Sequence, residues 1–173
     1  MNACRRACLS TLCAVLVGGG ALTQSALAKG PQHRQGLEGT WMIGVASQTN
    51  NAGIPFLGLG TYLEDGQFMG ESNTTTIRSL EHGEWFKVGP REFIRTAVLF
   101  RFSPPPAPPR TFEGLTRISA RVILSESGDE YTGAAVTQRY DIAGNLVSSA
   151  NNTETARRCD SSTTIARCLG TGP

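Results

Sequence analysis

The sequence predicts an all-β fold, an eight-stranded antiparallel up-and-down barrel behind an N-terminal signal peptide. Three observations carry that reading. Helical periodicity is nearly absent after the leader, whereas period-two alternation of apolar and polar residues recurs throughout. Clusters of Gly, Asp, Asn and Pro punctuate the alternating runs at hairpin spacing. No segment has the length and period of a crossover helix, so consecutive strands are antiparallel neighbours, and closing them into a barrel removes the exposed edges of an open sheet.

Residues 1–28 start basic (Arg5, Arg6), continue apolar from Ala7 to Val17 and end on small residues at Ala26 and Ala28. This is the layout of a cleaved secretory signal, and the apolar run falls short of the roughly 20 residues that cross a bilayer. Cleavage after Ala28 would leave a secreted or periplasmic protein without an integral span. Residues 29–36 read as a flexible segment, 37–152 as the barrel and 153–173 as a C-terminal tail. The chain has 16 Lys and Arg against 14 Asp and Glu, and losing Arg5 and Arg6 leaves the two signs equal. A neutral chain with scattered basic residues offers no footprint for nucleic acid.

The expected strands are Leu37 to Gln48, Phe56 to Glu64, Gln67 to Ser72, His82 to Val88, Glu92 to Phe102, Gly114 to Glu126, Tyr131 to Tyr140 and Asn145 to Asn152. Turn chemistry separates them at Glu64-Asp65-Gly66, Val88-Gly89-Pro90, Ser127-Gly128-Asp129 and Ala143-Gly144-Asn145. SPPPAPPR, residues 103 to 110, reads as a stiff hairpin loop at the rim. Alternation puts Leu37, Trp41, Ile43 and Val45 on one face of the first strand, and Leu57, Leu59, Thr61 and Leu63 on one face of the second. On the fifth, the uncharged face of Ile94, Thr96, Val98, Phe100 and Phe102 is expected inside, with Arg95 and Arg101 outside. On the sixth, Thr116, Ile118, Ala120, Val122 and Leu124 are expected inside, opposite Arg117 and Arg121.

Three of the five cysteines leave with the leader, and the remaining pair, Cys159 and Cys168, is most simply one disulfide of the tail. No cluster of His, Cys, Asp or Glu has metal-ligand spacing, and nothing points to a cofactor. There is no nucleophile elbow and no phosphate loop.

Gly39-Thr40-Trp41 resembles the Gly-x-Trp of calycin barrels, lipocalins and avidins among them, in which the Trp closes the barrel floor. The avidin-like echo continues in Gly60-Thr61-Tyr62 and Asp65-Gly66-Gln67. With only Trp85 beside Trp41, the chain lacks the further tryptophans of a biotin site. The helix and the Thr-Asp-Tyr element of lipocalins proper are also missing. His82-Gly83-Glu84-Trp85 and Gly89-Pro90-Arg91-Glu92-Phe93 look like stretches of small exported bacterial proteins of calycin-like type. Allene oxide cyclase is similar in architecture.

That resemblance implies an exported barrel holding a small, mostly apolar molecule. The expected lining is Trp41, Val45, Leu59, Phe68, Trp85, Val98, Phe100, Ile118 and Val122, with Tyr140 among the groups offering hydrogen bonds. Phe100→Arg is then expected to abolish binding. One alternative is a cyclase or isomerase of allene oxide cyclase-like type, for which His82 and Glu84 are the only nominees as acid or base. Another is a filled barrel acting as a structural or interaction module.

Overall fold

The structure, a computed structural model, describes residues 36–47, 56–73, 77–104 and 110–170. The expected leader, the segment after it up to residue 35, and residues 105–109 of the proline-rich loop lie outside the described residues. The alternating runs form β1 (Gly39–Ser47), β2 (Phe56–Tyr62), β3 (Gln67–Ser72), β4 (Glu81–Gly89), β5 (Glu92–Phe102), β6 (Phe112–Leu124), β7 (Glu130–Tyr140) and β8 (Leu146–Arg158). Each strand pairs antiparallel with the next, and β8 returns to β1 with Ala156 opposite Ile43, so the barrel is closed in up-and-down order. The turns before β3, β7 and β8 place Gly66, Gly128 and Gly144 at positive φ, where a side chain is strained.

The tight turns β2–β3, β4–β5 and β6–β7, with the chain entering β1 and leaving β8, define the closed end. Here the inward residues are large. Trp41, Tyr62, Phe68, Phe93, Val122 and Leu124 are essentially fully buried, and Trp85 and Tyr131 pack among them. The rings interlock: Trp41 lies 5.0 Å from Tyr131 between centroids, and Tyr62 4.8 Å from Phe68. Trp41 donates its indole N–H to the Leu37 carbonyl at 2.7 Å, and the Arg158 guanidinium lies 4.2 Å over its ring. Arg158 also donates to the carbonyls of Gly36, Glu38 and Gly128, tying the entry of β1 to the turn before β7. Gly39 sits at φ +115, with the Arg158 guanidinium 3.0 Å from where a Cβ would lie, so the Gly-x-Trp needs its glycine for conformation and for space. Beyond β8 a disulfide joins Cys159 to Cys168 across the one-turn helix α1 (Ile165–Cys168), and the Cys159 N–H bonds the Thr40 carbonyl.

Three expectations are corrected. The fifth strand faces the other way: Phe93, Arg95, Ala97 and Leu99 are buried, while Val98 and Phe100 are 46% and 53% exposed on the outside. Both faces of β5 are rich in apolar residues, so the charge on one face was the only discriminator, and Arg95 finds its counter-charge inside the barrel. The second strand is also reversed, with Leu57, Leu59 and Leu63 each 38% exposed and Gly60 and Tyr62 turned inward. Glycines at 58 and 60 hide an inward face in sequence, and a Cβ on Gly60 would collide with Ile43 and Phe68. The last strand runs to Arg158 rather than Asn152, because its inward residues there, Asn152, Glu154, Ala156 and Arg158, are mostly polar and carry no apolar alternation. On β6 the expected inward set is buried throughout.

Candidate functional site

Toward the open end many inward positions are small: Val45 on β1, Gly58 on β2, Gly70 on β3, Thr116 on β6, Thr137 on β7, Ala150 on β8. Eight strands give an interior that bulky residues fill and small ones leave hollow. The result is a cavity of about 900 Å³, open at the mouth. Ile43, Val45, Phe56, Leu99 and Ile118 give it apolar walls, and Phe68 reaches it from below.

At its inner end lies a buried charge network. Arg95 donates to Glu154 at 2.6 Å and to the Tyr62 hydroxyl at 3.0 Å, and Tyr62 shares a hydrogen bond of 3.3 Å with Tyr131. The Arg95 and Glu154 side chains are 3% and 2% exposed, and the guanidinium lies 4.8 Å over the Phe68 ring. Burial alone would lower the Arg95 pKa, but the Glu154 charge, helped by both tyrosines, holds it well above its ordinary value. Burial pushes the phenols of Tyr62 and Tyr131 up. Arg95 Nε and Glu154 Oε2 are buried without a protein partner, which leaves one donor and one acceptor at residues bordering the cavity.

Nearer the mouth stand Arg78, Arg101 and Arg139. Arg78 pairs with the buried Glu81 and lies 5.0 Å over Phe56. Residues 77–79 pair with the end of β5, through Phe102 N–H to Ile77 and Ser79 N–H to Phe100, which sets Arg78 opposite Arg101. Arg101 donates to the Glu113 carbonyl at 3.1 Å, with the Glu113 carboxylate 4.0 Å away. Arg139 lies opposite Thr116, itself opposite Leu99, the inward residue next below Arg101. Burial lowers the Arg78 pKa against the pull of Glu81, and the charge of Arg139 lowers it further.

The residues expected at the site divide three ways. Val45, Phe68 and Ile118 border the cavity, as does Leu59, although its side chain is partly exposed outside β2. Trp41, Trp85 and Val122 are buried in the packed end below it. Val98 and Phe100 stand outside the barrel, and Tyr140, on the outer face of β7 opposite Leu115, bonds the outward Gln138 instead of entering the cavity. His82 and Glu84 are exposed on the outer side of β4, since Glu81 and Trp85 take its inward positions. The arginines and the glutamates bordering the cavity were not anticipated. The signal that would have found them is an inward-facing Arg on β5 and a Glu on β8 of matching depth, legible only once the register is known. Among the described residues no group of three His, Cys, Asp or Glu is placed to hold a metal ion, and no helix is long and apolar enough to cross a membrane. No family model, curated protein or solved structure matches the chain.

Proposed function

We propose that this is an exported barrel of calycin-like kind that binds a small, mostly apolar molecule in its interior. The cavity of about 900 Å³ carries the reading. Its apolar walls would supply affinity by burying ligand surface, at roughly 25 cal/mol for each Å² removed from water. Arg95 Nε and Glu154 Oε2 would meet one polar group on the ligand, a hydroxyl or carbonyl, at its inner end. The disulfide suits an oxidising compartment, which supports export together with the leader-like first 28 residues.

The cavity weighs against a filled barrel acting through its outer surface. A cyclase or isomerase needs an acid or base within reach of the substrate; His82 and Glu84 are outside, burial moves the interior tyrosines away from neutrality, and the interior carboxylates of Glu81 and Glu154 are held in ion pairs by Arg78 and Arg95. The test is native mass spectrometry of the protein from its own source, with extraction of any passenger, alongside titration of an apolar fluorescent probe. Ile118→Arg should remove probe binding and Arg117→Ala, on the outside, should leave it intact. Equal loss from both would sink the interior site.

A further inference from the structure

The cavity's walls are apolar but its charge is unbalanced. It is bordered by Arg78, Arg95, Arg101 and Arg139 on one side of the count and by Glu71, Glu81 and Glu154 on the other. Glu71 occupies an exposed, outward position of β3 and does not offset charge inside. Glu154 is matched by Arg95 and Glu81 by Arg78. That leaves Arg101, whose nearest carboxylate is the partly exposed Glu113 at the 4.0 Å limit of contact, and Arg139, an exposed residue on the inward register of β7 that makes no ion pair among the described residues. Both excess cations are on the mouth side of the apolar belt, two strands apart, or about 10 Å. The Nε atoms of Arg78 and Arg101 are buried without a partner, and buried donors are normally satisfied.

From this arrangement we infer that the ligand is an anionic amphiphile, its apolar body lying against Ile43, Leu99 and Ile118 and its carboxylate or phosphate head held at the mouth by Arg101 and Arg139, with Arg78 alongside. The inference rests on the interior-binding reading and adds the headgroup to it. A guanidinium suits this task because it stays charged and presents a planar fork to an oxyanion. An apolar ligand without the anion would leave Arg139 without a counter-charge among the described residues and Arg101 with only the partly exposed Glu113.

Calorimetric titration of the purified protein with dodecanoate, dodecyl phosphate and 1-dodecanol tests this, because the three share one chain and differ in the head. At least one of the anions should bind about tenfold or more tighter than the alcohol, as charge-assisted hydrogen bonds imply, and the better anion assigns carboxylate or phosphate. Arg139→Gln should shrink that preference and Arg101→Gln with Arg139→Gln should erase it, while dodecanol affinity stays unchanged and far-UV circular dichroism reports an intact barrel. Arg117→Gln, on the outside of β6, should do nothing. Equal binding of alcohol and anions, a preference that survives the double substitution, or an equal effect from Arg117→Gln would overturn the headgroup assignment while leaving interior binding standing. No binding by any of the three would overturn both.

Discussion

The two halves of the barrel are built from the same eight strands and do opposite things. In the closed half the inward positions carry Trp41, Tyr62, Phe68, Trp85, Phe93 and Tyr131, and rings meet rings until no room is left. In the open half the same strands turn in Gly58, Gly70, Thr116, Thr137 and Ala150, and the interior is hollow. Stability therefore comes from one end and binding capacity from the other, with the Arg95–Glu154 pair at the boundary. Enlarging or lining the cavity by mutation need not disturb the end that holds the fold.

The largest effect should come from that boundary. Replacing Arg95 by Met, or Glu154 by Gln, strands a buried partner, and urea unfolding should show a loss of about 3–5 kcal/mol. Replacing both by apolar residues should recover most of it. Next come truncations that contrast the halves. Leu124→Ala, in the packed end, should cost about 4 kcal/mol, whereas Leu99→Ala at the cavity wall should cost nearer 2 because no sealed void is created. Comparable losses at both sites would erase the distinction between the halves. Opening the disulfide with Cys159→Ser should cost roughly 2.5 kcal/mol in the chain-entropy model and leave ligand binding at the far mouth unchanged.

A smaller effect is expected from pH. Tyr62 and Tyr131 have folded pKa values above the ordinary 10.0, so the folded protein holds their protons longer than the unfolded chain does. Their contribution is fully present below pH 10 and is lost as pH rises beyond it toward the folded values. Urea midpoints from pH 8 to 11 should stay level and then fall, and Tyr131→Phe should flatten the fall. Smallest of all, Phe100→Arg should leave binding unaffected, because the side chain is on the outer wall. Loss of binding there would reverse the assignment of β5.

The strand order was legible because turns and alternation are local. Trp41 in its Gly-x-Trp, and the inward face of β6, were legible for the same reason: one face is apolar and the other carries Arg117 and Arg121. The site was half legible. Val45 and Ile118 follow from pattern, whereas Phe68 and Met69 on opposite faces left β3 undecided, and Arg95 is inside where Glu154, 59 residues later on a non-adjacent strand, meets its charge. Glycines concealed the inward face of β2, since a missing side chain reads as neither apolar nor polar. Tyr140 was misplaced although alternation counted from the inward Tyr131 already turns it outward, opposite the exposed Leu115.

The buried pair has a further consequence for how the chain avoids misfolding. Ile94, Val98 and Phe100 would make as acceptable a core as Phe93, Ala97 and Leu99, so hydrophobicity alone permits β5 to assemble turned inside out. In that arrangement Arg95 would be solvated and Glu154 left buried without its counter-charge. The ion pair thus penalises an inverted β5 through a contact between strands that are not neighbours in the sheet.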